Sequence, residues 1–270
     1  MTRLTSEDIT NIPQTLDQYD LELKHKTGCT LREIACMAAS VSENKLSSAS
    51  ANLKVAAIPI SSGQGIIPHF AQAVQAITHH IGFSSFTTDS YDIAGLAEAV
   101  NRKAQIIFLA DDSSFVAVNL PHMLVVDNNE ATARGYVAAL ESMARGIRNR
   151  QVLVIGAGKV GTQAIRTLKE WGARAGIFDI NAEKAEMVAK EYGVTKEDDL
   201  EQALQHYSLL FDASPASEII QAKHIKSDTM IAACGIPLGL TAQAYSLVKD
   251  RLIHDPLQIG VATMLAMTLR

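Results

Sequence analysis

From Leu4 to about Ser50 the apolar positions recur at helical spacing. Leu4 and Ile9 flank Thr5 as a hydrophobic staple flanks an N-cap, with acids in the first turn. Pro13 limits that turn, after which Leu16, Tyr19 and Leu23 share one helix face. Thr30 and Glu33 fit a capping box ahead of Leu31, Ile34, Ala35 and Ala38. The texture then changes. "KVAAIPI" (54–60) is a short β-like run ending at "SSGQG", and a helical stretch follows over 66–81. "FSSFTTD", a helix near 93–100, "QIIFLADD" (105–112) and "FVAVNL" (115–120) continue the alternation. Strands alternating with helices predict a parallel sheet with helical cover.

Residues 128–148, "NNEATARGYVAALESMARGIR", read as one long connecting helix. Beyond it the order is crisp: strand "VLVI", helix "KVGTQAIRTLKEWG", strand "RAGIFD", helix "NAEKAEMVAKEYG". Three short apolar runs then end in turn or small residues, "LLFDASP", "MIAACGIP" and "RLIHDP", before an apolar closing helix "LQIGVATMLAMTLR". The predicted fold class is α/β: a C-terminal Rossmann-type domain preceded by a smaller α/β substrate domain with N-terminal helices. The predicted boundaries are 1–127 and 128–270, with 128–148 as the connector.

Composition narrows the function classes. A net charge of −5 over 270 residues leaves no basic patch for nucleic acid. No apolar run approaches the ~18 residues that a membrane span needs, and "MTRLTSEDIT" lacks the apolar core of a secretory signal. Cys29, Cys36 and Cys234 read as reduced thiols, so a cytoplasmic protein is expected. The 8 histidines show no ligand spacing, and adjacent His79 and His80 point in different directions on a helix, so no metal site is expected.

Gly156-Ala157-Gly158-Lys159-Val160-Gly161 is a G-x-G-x-x-G loop that follows an apolar strand and opens a helix. Gly156 allows the tight turn, Gly158 the approach of a pyrophosphate, and Gly161 close helix–strand packing. Free N–H groups at the helix start, from Lys159 and Val160 onward, meet the phosphate charge. Asp179 ends the next strand, where a carboxylate accepts hydrogen bonds from both ribose hydroxyls and repels a 2′-phosphate. "DIN" (179–181) offers no cation for such a phosphate, so NAD is the expected cofactor. "DAS" (Asp212, Ala213, Ser214) and "CGI" (Cys234, Gly235, Ile236) place small residues where the nicotinamide ring and its ribose need room, though each is also a plain strand-to-helix turn.

The substrate side is less defined. Ser61 and Ser62 in "PISSGQGI" suit a carboxylate or amide, or simply a turn. Asp111 and Asp112 follow "IIFLA", where a carboxylate can hold a substrate ammonium or accept its proton; a solvated loop is the bland alternative.

Taken together, "PISSGQGII", "ADDSSFVAVN", "DNNEATARGYVAALE", "VLVIGAGKVG", "FDIN" and "HDPLQIGVATM" resemble the dehydrogenase family that completes pyrrolysine biosynthesis, over essentially the whole chain. The resemblance implies NAD as oxidant and a mobile N-terminal helix that closes over a dipeptide-like small molecule, 3-methylornithyl-lysine. It implies oxidation of the terminal amine carbon to an imine, attack by the internal α-amine, and loss of ammonia. Proximity carries much of that ring closure. Carried over, Asp111 or Asp112 would position and deprotonate the amine, Ser61 and Ser62 would touch substrate, Asn119 would assist, and Leu4 would move with the lid. Rival readings are another two-domain dehydrogenase of the shikimate or methylene-tetrahydrofolate type, or an NAD(H) sensor. The first would use a catalytic lysine, yet Lys54 and Lys103 sit in no recognisable lysine motif; the second would carry a DNA-binding segment. A homodimer through 128–148 or the closing helix is compatible with the apolar surface there, as is plain core packing.

Overall fold

The computed structural model describes residues 4–270. The N-terminal quarter is helical: α1 (Ser6–Ile9), α2 (Ile12–Thr27), α3 (Leu31–Ala39) and α4 (Glu43–Asn52). At Thr5 the backbone N–H and the hydroxyl both donate to Asp8 (2.7 and 2.8 Å), and Ile9 is fully buried behind them. Thr30 and Glu33 form the reciprocal box that starts α3.

Next come β1 (Lys54–Ile58), α5 (Phe70–His80), β2 (Ser84–Thr87), α6 (Asp92–Asn101), β3 (Ile106–Ala110), β4 (Phe115–Asn119) and β5 (Leu124–Asp127). The strands form one sheet ordered β2-β1-β3-β4-β5. Pairings of β1 with β2 and β3 are parallel, but β3–β4 and β4–β5 are antiparallel. The all-parallel expectation for this half is therefore corrected. The connection between β3 and β4 is only four residues, too short for a crossover. It closes as a hairpin with Asp111 N–H donating to the Ser114 carbonyl.

Asp127 caps α7 (Asn128–Ala144) by accepting the N–H groups of Asn129 and Glu130. The helix ends four residues before the expected Arg148, because Arg145 turns into the left-handed region (φ 53°). The second sheet contains β6 (Gln151–Ile155), β7 (Arg174–Phe178), β8 (Thr195–Lys196), β9 (Leu209–Asp212), β10 (Met230–Ala233) and β11 (Leu252–His254). Between these strands lie α8 (Lys159–Glu170), α9 (Ala182–Tyr192), α10 (Leu200–His206) and α11 (Ala242–Val248), and α12 (Gln258–Met267) closes the chain. All pairings are parallel, in the order β11-β10-β9-β6-β7-β8. That is the doubly wound Rossmann order, whose direction reverses beside β6.

Every residue of α12 is buried, packed on α3 and α7. One apolar core therefore runs from the N-terminal helices through α7 into the second sheet. The apolar surface of α12, which would also have suited a dimer, is used inside one chain.

Candidate active site

The glycine loop leaves β6 at the point where strand order reverses. Gly156 has φ +103°, and a Cβ there would press on the backbone of Ala213 and Ser214 at 3.1–3.2 Å. A Cβ on Gly161 would run into the Gly156 carbonyl, so only glycine lets α8 sit against the loop. Gly158 differs: nothing lies within 4 Å of its Cβ position. It is the N-cap of α8 and has no side chain to satisfy the first-turn N–H groups. An open backbone at a bare helix N-terminus fits a pyrophosphate.

Asp179 turns toward this loop. Its Oδ2 accepts the Ala157 N–H at 2.6 Å and its Oδ1 the Asn181 N–H at 2.8 Å. A carboxylate has about four acceptor sites, so two backbone bonds leave room for ribose hydroxyls.

A cavity of about 490 Å³ opens beside the loop. Of the expected cofactor residues, Gly158, Lys159, Val160, Ala213, Ser214, Cys234, Gly235 and Ile236 line it. Asp212 stands behind this wall, fully buried. Its Oδ1 accepts from the Ser214 N–H and hydroxyl, its Oδ2 has no hydrogen-bond partner, and burial pushes its carboxyl up to about 6. Burial and the nearby Asp212 raise the Cys234 thiol, which donates to the Asp212 carbonyl. That environment suits a packed thiol rather than a nucleophile.

Several residues of this cavity went unread in the sequence. Asn128, Thr132 and Tyr136 line it from α7, and Asp255 and Leu257 from the loop between β11 and α12. The signal was available: 128, 132 and 136 are spaced i, i+4, i+8, which puts three polar side chains on one stripe of the helix.

A second cavity of about 300 Å³ lies at the β3–β4 hairpin. Asp111 and Asp112 line it with Gln64, His69, Tyr91 and Phe115. Asp111 Oδ1 accepts the N–H groups of Ser113 and Ser114, and Asp112 Oδ2 accepts the Gln64 N–H at 2.7 Å. Both aspartates are exposed and neither lines the first cavity. Leu4 lines both cavities.

Three of the expected substrate contacts, Ser61, Ser62 and Asn119, line neither cavity. Ser61 gives its hydroxyl and N–H to Asp92 (2.5 and 2.7 Å), and neither Ser61 nor Ser62 lines either of these two cavities; Gln64 and Gly65 of the same loop line the second. Asn119 sits deeper still. It is fully buried at the far end of β4, donating to the Thr268 carbonyl and accepting the His122 N–H, so it ties the sheet to the end of α12.

Comparison with known proteins decides the family. The chain is 31% identical over 265 residues to pyrrolysine synthase of Methanosarcina acetivorans, spanning 98% of both chains. The chain belongs to the pyrrolysine synthase family. Pyrrolysine synthase of Methanosarcina barkeri is also 31% identical, over 98% of this chain and 97% of that one. Residues 8–126 match "Pyrrolysine biosynthesis protein PylD, N-terminal domain", and 128–257 match "Alanine dehydrogenase/PNT, C-terminal domain". The fold is shared with shikimate 5-dehydrogenase of Thermus thermophilus, solved with NADP(H) and shikimate (TM-score 0.54, 17% identity, 80% of this chain and 92% of that one). It is shared too with quinate dehydrogenase of Corynebacterium glutamicum, solved with NAD (TM-score 0.53, 12% identity, 80% and 93%). The protein is thus a Rossmann-fold oxidoreductase of dehydrogenase type, in a family of pyrrolysine biosynthesis. No helix among the described residues is long and apolar enough to cross a membrane.

Proposed function

We propose that this enzyme oxidises the terminal amine carbon of 3-methylornithyl-lysine with NAD⁺, and that the resulting imine closes to the pyrroline ring of pyrrolysine with loss of ammonia. Residues 128–270 hold the dinucleotide in this reading, and 1–127 deliver the substrate. Gly156, Gly158 and Gly161 shape the pyrophosphate cradle, Asp179 holds the adenosine ribose, and Ala213, Ser214, Cys234, Gly235 and Ile236 border the nicotinamide end. When bound, NAD supplies a two-electron oxidant for the carbon–hydrogen bond next to the amine.

The observation that carries this reading is Leu4, which walls both the cavity beside Gly158 and the one beside Asp111 and Asp112. An elongated substrate with an amine at each end suits two cavities that share a wall. Asp111 and Asp112 recognise an ammonium group at the hairpin end, and Leu4 covers the chain between. The ring closure needs no further catalyst, because nucleophile and electrophile belong to one molecule.

Mass spectrometry of the product tests the proposal. Incubation with NAD⁺ and 3-methylornithyl-lysine is expected to yield a species lighter by one ammonia and two hydrogens, with NADH formed in equal amount. Turnover of shikimate instead, with none of the dipeptide, would overturn it.

A further inference from the structure

Asp255 directly follows β11, on the side of the switch point opposite Asp179. If Asp179 marks the adenosine half of the dinucleotide, Asp255 stands at the nicotinamide half. It lines the larger cavity and is 5% exposed. Its Oδ1 accepts the Leu257 and Ile259 N–H groups at the start of α12 (3.0 and 3.2 Å), and its Oδ2 accepts the Tyr19 hydroxyl at 2.8 Å. Tyr136 brackets its backbone, donating to the Asp255 carbonyl at 2.7 Å and accepting its N–H at 2.9 Å. No lysine or arginine is paired with this carboxylate among the described residues. A buried carboxylate held by neutral donors is a strong attractor for a cation. With one donor on Oδ2, acceptor capacity remains there.

We propose that Asp255 is a catalytic residue which binds the terminal ammonium group of the substrate at the nicotinamide end of the cavity and takes its proton before oxidation. In this step one N–H bond breaks and an O–H bond forms on the Asp255 carboxylate. The electron pair stays on nitrogen, and a neutral amine is left beside the carbon to be oxidised. The inference rests on the amine-dehydrogenase reading above and assigns its proton acceptor. Asp111 and Asp112 then serve an ammonium at the other end. Burial raises the Asp255 carboxyl above the ordinary carboxylate range. The titratable groups facing it are Tyr19 from α2, Tyr136 from α7, Cys234 after β10, and His254 at the end of β11.

The first test is binding, by calorimetry, of ornithyl-lysine and of norvalyl-lysine, which lacks the terminal amine. Wild-type protein is expected to favour the amine probe by tenfold or more; Asp255→Asn, of nearly the same size, should bind the two alike. Turnover of 3-methylornithyl-lysine by Asp255→Asn at pH 7 should fall on the order of a hundredfold or more, with NAD⁺ affinity kept. Tyr19→Phe keeps the ring and removes one donor to the carboxylate, so the acid limb of kcat/KM is expected to move to higher pH. A packing role alone would leave that limb in place. If wild type binds and oxidises the dipeptide while Asp255→Asn keeps its preference for the amine probe, the Asp255 assignment fails alone. If wild type oxidises no such dipeptide, the underlying reading fails.

Discussion

Asp179 and Ala157 are joined across the mouth of the dinucleotide cradle, the carboxylate accepting the loop N–H at 2.6 Å. The contact orients the acid toward the bound ribose and braces the turn after β6. Asp179→Ala should weaken NAD⁺ binding on the order of tenfold to a hundredfold, the worth of charged hydrogen bonds. It should weaken NADP⁺ less, since the repulsion of the 2′-phosphate goes too. Dissociation constants for both dinucleotides check this; an unchanged NAD⁺ to NADP⁺ ratio would remove Asp179 from the ribose site.

The two loop glycines separate folding from binding. Gly161→Ala drives a methyl group into the Gly156 carbonyl, so thermal unfolding should show a loss of about 1–3 kcal/mol. Gly158→Ala meets open space, so its melting temperature should stay near wild type while dinucleotide affinity falls. Equal destabilisation of both variants would contradict the geometry.

Asp212 predicts a pH dependence of stability. Its folded carboxyl titrates at about 6, above its unfolded value of 3.8. The folded state therefore holds a proton that the unfolded state has lost between those values. Stability falls as pH rises through that window and stays lower above it. Asp212→Asn cannot ionise, so its stability relative to wild type should increase from pH 4 to pH 7, by on the order of 3 kcal/mol at most. Chemical denaturation at both pH values measures the difference, and a constant difference would refute it.

Asn119→Ala should cost stability and spare kinetics. It leaves the Thr268 carbonyl and the His122 N–H without their buried partner, worth about 1–3 kcal/mol. Substrate KM is expected to stay unchanged. A raised KM with normal stability would return Asn119 to the substrate site.

How much was legible follows from the range of each interaction. The glycine loop, Asp179 and the helix caps at Thr5 and Thr30 are local signatures, because each is satisfied within one turn or one strand–turn–helix unit. The hairpin at 111–114 was visible as two runs four residues apart, but direction of pairing depends on which edge of β3 is open. Asn119 entered only through the family resemblance; its buried partner lies 149 residues away, a separation over which the sequence carries no local signal.

By itself the sequence determined the alternation of elements, the Rossmann half, the dinucleotide cradle and the family, because periodicity and turn chemistry act over a few residues. Only the tertiary structure decided which polar groups share a cavity. It brought Tyr19 to Asp255 across 236 residues, buried α12 against the N-terminal helices, and made Leu4 a wall of two cavities. Those relations depend on how helices and sheets pack, and packing joins side chains whose separation along the chain carries no trace of the contact.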